Sequence, residues 1–137
     1  MEQNEEQNYI LNEKDFILTS DKKNVFQAKL FISNNELFCI NLTTNNFPSK
    51  KYSISLTMNE LIKNRFFKIF IDLEEVFREL ENKIEKSNII EDTNLIYLDI
   101  TIGLNVINYI ILEINEIKKS NDEIIKELTN ELEKKIN

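Results

Sequence analysis

The sequence predicts a mainly β protein with helices (α+β): an antiparallel β-sandwich head with an inserted helix-turn-helix, then a C-terminal amphipathic helix. Three observations carry this expectation. Apolar residues alternate with polar ones over residues 16–56 and again over 95–114, the period changes to 3.6 between and after those stretches, and the breaks are short clusters of Asn, Ser and Asp. Connections of that length favour antiparallel neighbours.

Residues 1–14 are acidic and amide-rich, with Tyr9, Ile10 and Leu11 as their apolar content beyond Met1, and are expected to form a flexible tail. The head is expected to span residues 15–116. Phe16 and Leu18 share one face of a first strand; Phe26, Ala28, Leu30 and Ile32 share one face of the second. Phe38, Ile40 and Leu42 do so in a third, and Tyr52, Ile54 and Leu56 in a fourth. Thr57 followed by Glu60 is a capping box, in which two orphan amides at a helix start are satisfied reciprocally, and it opens a helical pair expected over 57–86. The first helix carries Leu61 and Ile62. Asp72 caps the second, longer one, with Leu73, Val76, Phe77, Leu80 and Ile84 on one face and Glu79 four residues ahead of Lys83 on the other. The aromatic connector RFFKIF should pin the pair onto the sheet. Three strands then return: a short one at SNII, one with Ile96, Leu98, Ile100 and Ile102 on a face, and one with Ile110, Leu112 and Ile114. Gly103, the one glycine of the chain, marks the turn between the last two, because a tight turn commonly needs positive φ. Residues 117–137 form the last unit: Ser120 and Glu123 make another capping box, and Ile124, Ile125, Leu128, Leu132 and Ile136 make one apolar stripe on a charged helix.

Four strands, a helical pair, three strands and a final helix: this order resembles the head-plus-coiled-coil superfamily of the end-joining DNA ligase scaffold protein and the centriolar cartwheel protein. The resemblance covers roughly residues 15–137 and is one of architecture. It implies a seven-stranded β-sandwich head with a helix-turn-helix after the fourth strand and a coiled-coil stalk after the seventh. In the cartwheel protein an exposed aromatic or aliphatic residue precedes the last strand; Leu104 stands in that place here, with Ile107, Ile110, Leu112 and Ile114 as the spaced aliphatics. The chain departs from that pattern in having Asn105 where a basic residue is expected and in its short final helix.

Composition restricts the chemistry. With 17 Lys and Arg against 24 Asp and Glu, the formal net charge of -7 repels phosphate backbones and acidic membrane surfaces, so neither nucleic acid nor membrane is expected as a partner. At 137 residues and 42% hydrophobic content, one core is expected. The single Cys39 and the absence of a signal-peptide pattern at the start point to an intracellular, cytoplasmic setting. There is no histidine, which removes catalytic triads, most zinc sites and the usual general base; one glycine cannot build a phosphate-cradling loop. No catalytic residue, metal site or cofactor is expected. Glu74, Glu75, Asp92 and Asp99 are the carboxylates an enzyme would have to use, but they fall at a helix start, in a turn and on a strand, where caps and solvated charges belong. Cys39 has no basic neighbour in sequence to lower its pKa and should be a packed thiol.

Two apolar surfaces are left over. Leu95, Tyr97, Ile107, Tyr109 and Ile111 lie on the second face of the last hairpin, and either the helix of residues 73–86 covers them or, with Leu104 at the tip, they meet another head or another protein. The C-terminal stripe either folds back or pairs with a copy of itself; pairing is favoured, because EINEIKKSND has no glycine or proline to reverse the chain. The function expected is therefore a non-enzymatic, self-associating scaffold, of the cytoskeletal or centriole-like kind that the resemblance implies, whose partner is a second copy. The alternative is a monomeric module that binds a peptide or protein at its apolar hairpin or sheet edge.

Overall fold

The computed structural model of the chain describes residues 10–34, 36–44, 49–102, 109–118 and 120–136. In order, the strands and helices are β1 (Ile10–Thr19), β2 (Val25–Ser33), β3 (Leu37–Thr44), β4 (Lys51–Leu56), α1 (Met58–Leu61), α2 (Leu73–Glu81), β5 (Asn88–Asp92), β6 (Leu95–Thr101), β7 (Tyr109–Ile117) and α3 (Asn121–Ile136), with 3-10 turns at Arg65–Ile69 and Ile84–Lys86 on either side of α2. The expected element order is the one found.

The sheet arrangement differs from expectation. The seven strands form one curled antiparallel sheet in the order β1-β2-β3-β4-β7-β6-β5, where two packed sheets had been predicted. The reason lies at β4 and β7, which pair over Lys51–Ser53 against Asn115–Ile117 and so join the two halves by backbone hydrogen bonds. Alternating apolar residues report which face is buried but not whether that face belongs to one curled sheet or two flat ones. The outer strands also meet: Ser20 bridges Ile89, and the Asp21 amide donates to the Ile89 carbonyl at 2.9 Å.

Inside the curl, one continuous core holds the predicted faces of both halves. Phe26, Leu30, Phe38, Ile40 and Leu42 from the first half are fully enclosed, as are Ile96, Leu98, Ile100 and Ile114 from the second. The helical segment completes it. Thr57 and Glu60 form the expected capping box, Asn64 caps the 3-10 turn through the Phe66 amide at 3.0 Å, and the Asp72 carboxylate accepts from the Glu75 amide at 3.0 Å. These caps fix three successive helical starts, so that Leu61, Phe66, Phe67, Leu73, Val76, Phe77 and Leu80 all point into the same core. Here α2 packs on β1, β2 and β3. Of the two readings left open for the second face of the last hairpin, cover by this helix is not the one found, because its apolar stripe is used up on the first face. The first strand also begins at Ile10, ahead of the expected boundary at 15: its ladder with β2 reaches Ile10 opposite Ser33 across an irregularity at Asn12, and Glu13 pairs with Lys29 at 3.2 Å.

Turn chemistry follows from the near absence of glycine. Asn12, Asn34 and Asn94 sit at φ 50°, 56° and 64°, the left-handed region that asparagine tolerates best after glycine, and Lys23 sits there at 68°.

Phe77, 5% exposed, packs in the shared core of helix and sheet. Phe77→Ala is expected to lower unfolding free energy by about 3 to 5 kcal/mol, measured by urea denaturation; a loss below about 1 kcal/mol would mean that α2 docks by another face.

Candidate functional site

The C-terminal helix α3 leaves the sheet after β7 through a short link and begins at the predicted capping box, the Ser120 hydroxyl accepting from the Glu123 amide at 3.2 Å and the Glu123 carboxylate from the Ser120 amide at 3.0 Å. Asp122 and Glu123 at its start and Lys134 and Lys135 at its end complement the helix dipole. Local chemistry thus marks where this helix begins and ends. Its apolar stripe stays in water: Ile124 and Leu128 are exposed, Ile125 is 60% exposed and Leu132 62%. A tie to the head runs from the Ser49 amide to the Glu127 carboxylate at 2.8 Å, so the helix is held by a polar contact on one side while the stripe is uncovered. The Ile136 side chain lies outside the described ones.

A second apolar surface is the outward face of β5, β6 and β7. Strand register places Ile90 beside Tyr97 and Tyr97 beside Glu113, then Asp99 beside Ile111 and Thr101 beside Tyr109. Tyr109 is 58% exposed and Ile111 47%, with Ile90 and Ile117 also exposed and Leu95 and Tyr97 half-buried. Of the residues expected at a head or partner contact, Tyr109 and Ile111 are therefore presented together on one face, while Leu104 and Ile107 lie outside the described residues. Gly103 does too.

The carboxylates weighed as catalytic groups are not brought together. Glu75 accepts from the Ile71 amide at 2.6 Å and Asp92 from the Thr93 amide at 2.7 Å, whereas Glu74 is on α2 and Asp99 on the outward face of β6. Among the described residues no group of three or more His, Cys, Asp or Glu is placed to hold a metal ion. Cys39 is buried, 3.4 Å from the Ser55 hydroxyl, with its thiol donating to the Leu37 carbonyl at 3.8 Å, which is the packed role expected.

Two features went unread in the sequence. The first is a polar corner where β1 meets β5. Ser20 donates its hydroxyl to Glu91, Asn24 donates its side-chain amide to the same carboxylate oxygen at 2.7 Å, and the Glu91 amide donates to Asp21 at 3.1 Å. The cluster SDKKN signals a turn but cannot reveal a partner some seventy residues on. The second is the exposure of Ile69 within the aromatic connector, which was expected to pin the helical pair onto the sheet, and of Ile71 just after it.

Near this corner Tyr52 lies edge-on to Phe26, ring centroids 6.0 Å apart. Burial raises its phenol pKa above the ordinary 10.0, and the negative charges of Glu116 and Glu91 push the same way. Elsewhere, amide and hydroxyl donors of Thr57 hold the Glu60 carboxyl below its usual range.

No protein-family model matches the chain, and no curated protein matches it either.

The Tyr52 shift has a pH consequence. A folded-state pKa raised above the unfolded value keeps the proton on in the native state, so this contribution is whole below about pH 10 and is lost as pH rises through the folded pKa. Urea midpoints measured from pH 8 to pH 11.5 are expected to fall at the alkaline end, and Tyr52→Phe is expected to flatten that fall. An equally steep fall in the variant would show that Tyr52 ionises freely.

Proposed function

We propose that the protein is a non-enzymatic, self-associating scaffold, a curled-sheet head with a short pairing helix, of a cytoskeletal or centriole-like kind. The observation that carries this reading is the α3 stripe: a capped helix, its apolar side chains turned to solvent, standing beside a head whose own core is already filled. Exposed aliphatic residues at helical spacing on one face are the chemistry of a helix that pairs. The 16 residues of α3 span about 24 Å. Isolated helices of that length are marginal in water, so the pair is weak alone and depends on tethering to folded heads. The order of elements, with a helical segment after the fourth strand and a helix after the seventh, also supports the resemblance to the head-plus-coiled-coil superfamily.

The competing reading, a monomeric module that binds a peptide or protein, draws on the outward face of β6 and β7, where Tyr109 and Ile111 are exposed. No cofactor enters either reading. Solution mass separates them: a pairing helix gives a dimer, a peptide-binding module a monomer.

Light scattering at tens of micromolar is expected to give a dimer, and Leu128→Asp together with Leu132→Asp a monomer whose head melts as before. Two carboxylates in an apolar seam cost several kcal/mol, more than a short helix pair can absorb. A strictly monomeric parent chain at those concentrations would remove the pairing helix from consideration.

A further inference from the structure

We propose that the head carries a second, head-to-tail self-association surface, in which the basic connector between α1 and α2 of one copy seats on the outward face of β5, β6 and β7 of another. The proposal rests on the self-associating reading above and uses surfaces other than α3.

The connector is unusual in this chain. Residues 61–71, LIKNRFFKIFI, contain Lys63, Arg65 and Lys68 and no carboxylate, in a protein where acids outnumber bases 24 to 17. Its anchors are aromatic: Phe66 and Phe67 are buried, with the Phe66 ring edge-on to Phe67 at 5.1 Å and to Phe70 at 5.2 Å. With these rings turned inward, Lys63, Arg65, Lys68, Ile69 and Ile71 are left outward. In a 3-10 turn residues three apart eclipse, so Arg65 and Lys68 share one row. Ile69 is exposed and Ile71 is 82% exposed, although neither has a role in the core. Asp72 and Glu75 stand nearby, but both are engaged at the start of α2, where the helix dipole offsets part of their charge.

The receiving face has the opposite character. The outward positions of β5, β6 and β7 include Asp92, Asp99 and Glu113 and no lysine or arginine. Register sets Asp99 directly against Ile111 and Glu113 against Tyr97, so carboxylates and apolar side chains adjoin one another, as cations and isoleucines do on the connector. Two such acidic faces cannot meet symmetrically without opposing like charges. The α3 helix is a poor occupant too, because Asp122, Glu123, Glu127, Glu131 and Glu133 outweigh Lys126, Lys134 and Lys135 on it. The connector of a second copy fits in both charge and apolar content. Because the two surfaces differ, the contact is heterologous: one copy keeps its receiving face free and the other its connector, which generates a ring or a filament.

Sedimentation velocity of the full chain, from micromolar to hundreds of micromolar at physiological ionic strength, tests this. Growth beyond the α3 dimer is expected. Arg65→Glu with Lys68→Glu in one chain, or Asp99→Lys with Glu113→Lys in another, should each weaken that growth about tenfold or more, while an equimolar mixture of the two restores it. Ile71→Ser should weaken it without changing the melting temperature. A dimer that never grows, or a mixture no stronger than its components, would overturn the head-to-tail contact and leave α3 pairing intact. Growth one copy at a time from a monomer would overturn α3 pairing and support the head-to-tail contact.

Discussion

Everything in this fold depends on filling the inside of one curled sheet. Seven antiparallel strands that curl without closing enclose more apolar surface than their own side chains can cover, and the segment between β4 and β5 supplies the remainder. Each fully buried Phe, Leu or Val contributes about 1.5 to 3 kcal/mol through removal from water, so Phe66, Phe67, Val76, Phe77 and Leu80 together hold the helical segment in the shared core. That use of the helical stripe has a second effect. Once α2 has spent its apolar face inside the curl, that stripe is not left for the outside of β6 and β7, and the exposure of Tyr109 and Ile111 is a consequence of how the core is filled.

The curl also decides how its edges are managed. Open strand edges invite pairing with other chains. Here the β1 and β5 edges approach each other at Ser20 and Ile89, where Glu91 collects the Ser20 hydroxyl and the Asn24 amide, and the turn at Ile84–Lys86 packs against β1 and β6. Polar side chains thus hold the corner while apolar ones hold the interior. A carboxylate that receives two donors is satisfied without burial of an unpaired charge, which lets the corner sit half-exposed.

Strands and helices were legible in the sequence because their signals are local. Phe26, Ala28, Leu30 and Ile32 alternate whatever the sheet does later, and Thr57 with Glu60, Asp72, and Ser120 with Glu123 form the caps their spacing announces. What was not legible is relational. Alternation in β4 and β7 is the same for two sheets as for one, and only the pairing of Lys51–Ser53 with Asn115–Ile117 separates the cases. The stripe of α2 could have docked on either face of the last hairpin, since Leu98 and Tyr97 are both large and follow each other in sequence. Asparagine clusters mark the breaks between strands, but spacing alone does not show that Asn12, Asn34 and Asn94 take the left-handed positions that a chain with one glycine must fill otherwise. Of the surfaces, the α3 stripe was readable because it needs no knowledge of neighbours, whereas the outward turn of Ile69 and Ile71 depends on Phe66 and Phe67 turning in.

The acid excess shapes how such surfaces can work between copies. At a net charge of -7, two approaching chains repel over the range of the Debye length, about 8 Å at physiological ionic strength. Salt shortens that range, so it lowers the barrier to approach; it also weakens attraction between exposed groups such as Lys68 and Asp99. The two effects differ in distance. Repulsion is summed over whole surfaces and is screened first, while oppositely charged groups in the proposed contact, flanked by Ile71 and Ile111, would be screened less. A contact built from adjoining charges and aliphatic side chains therefore forms best at intermediate ionic strength. An apolar seam such as the one proposed for α3 would have no paired charge to lose and would only gain as repulsion fades, so the two proposed contacts would respond to salt in opposite ways beyond that point.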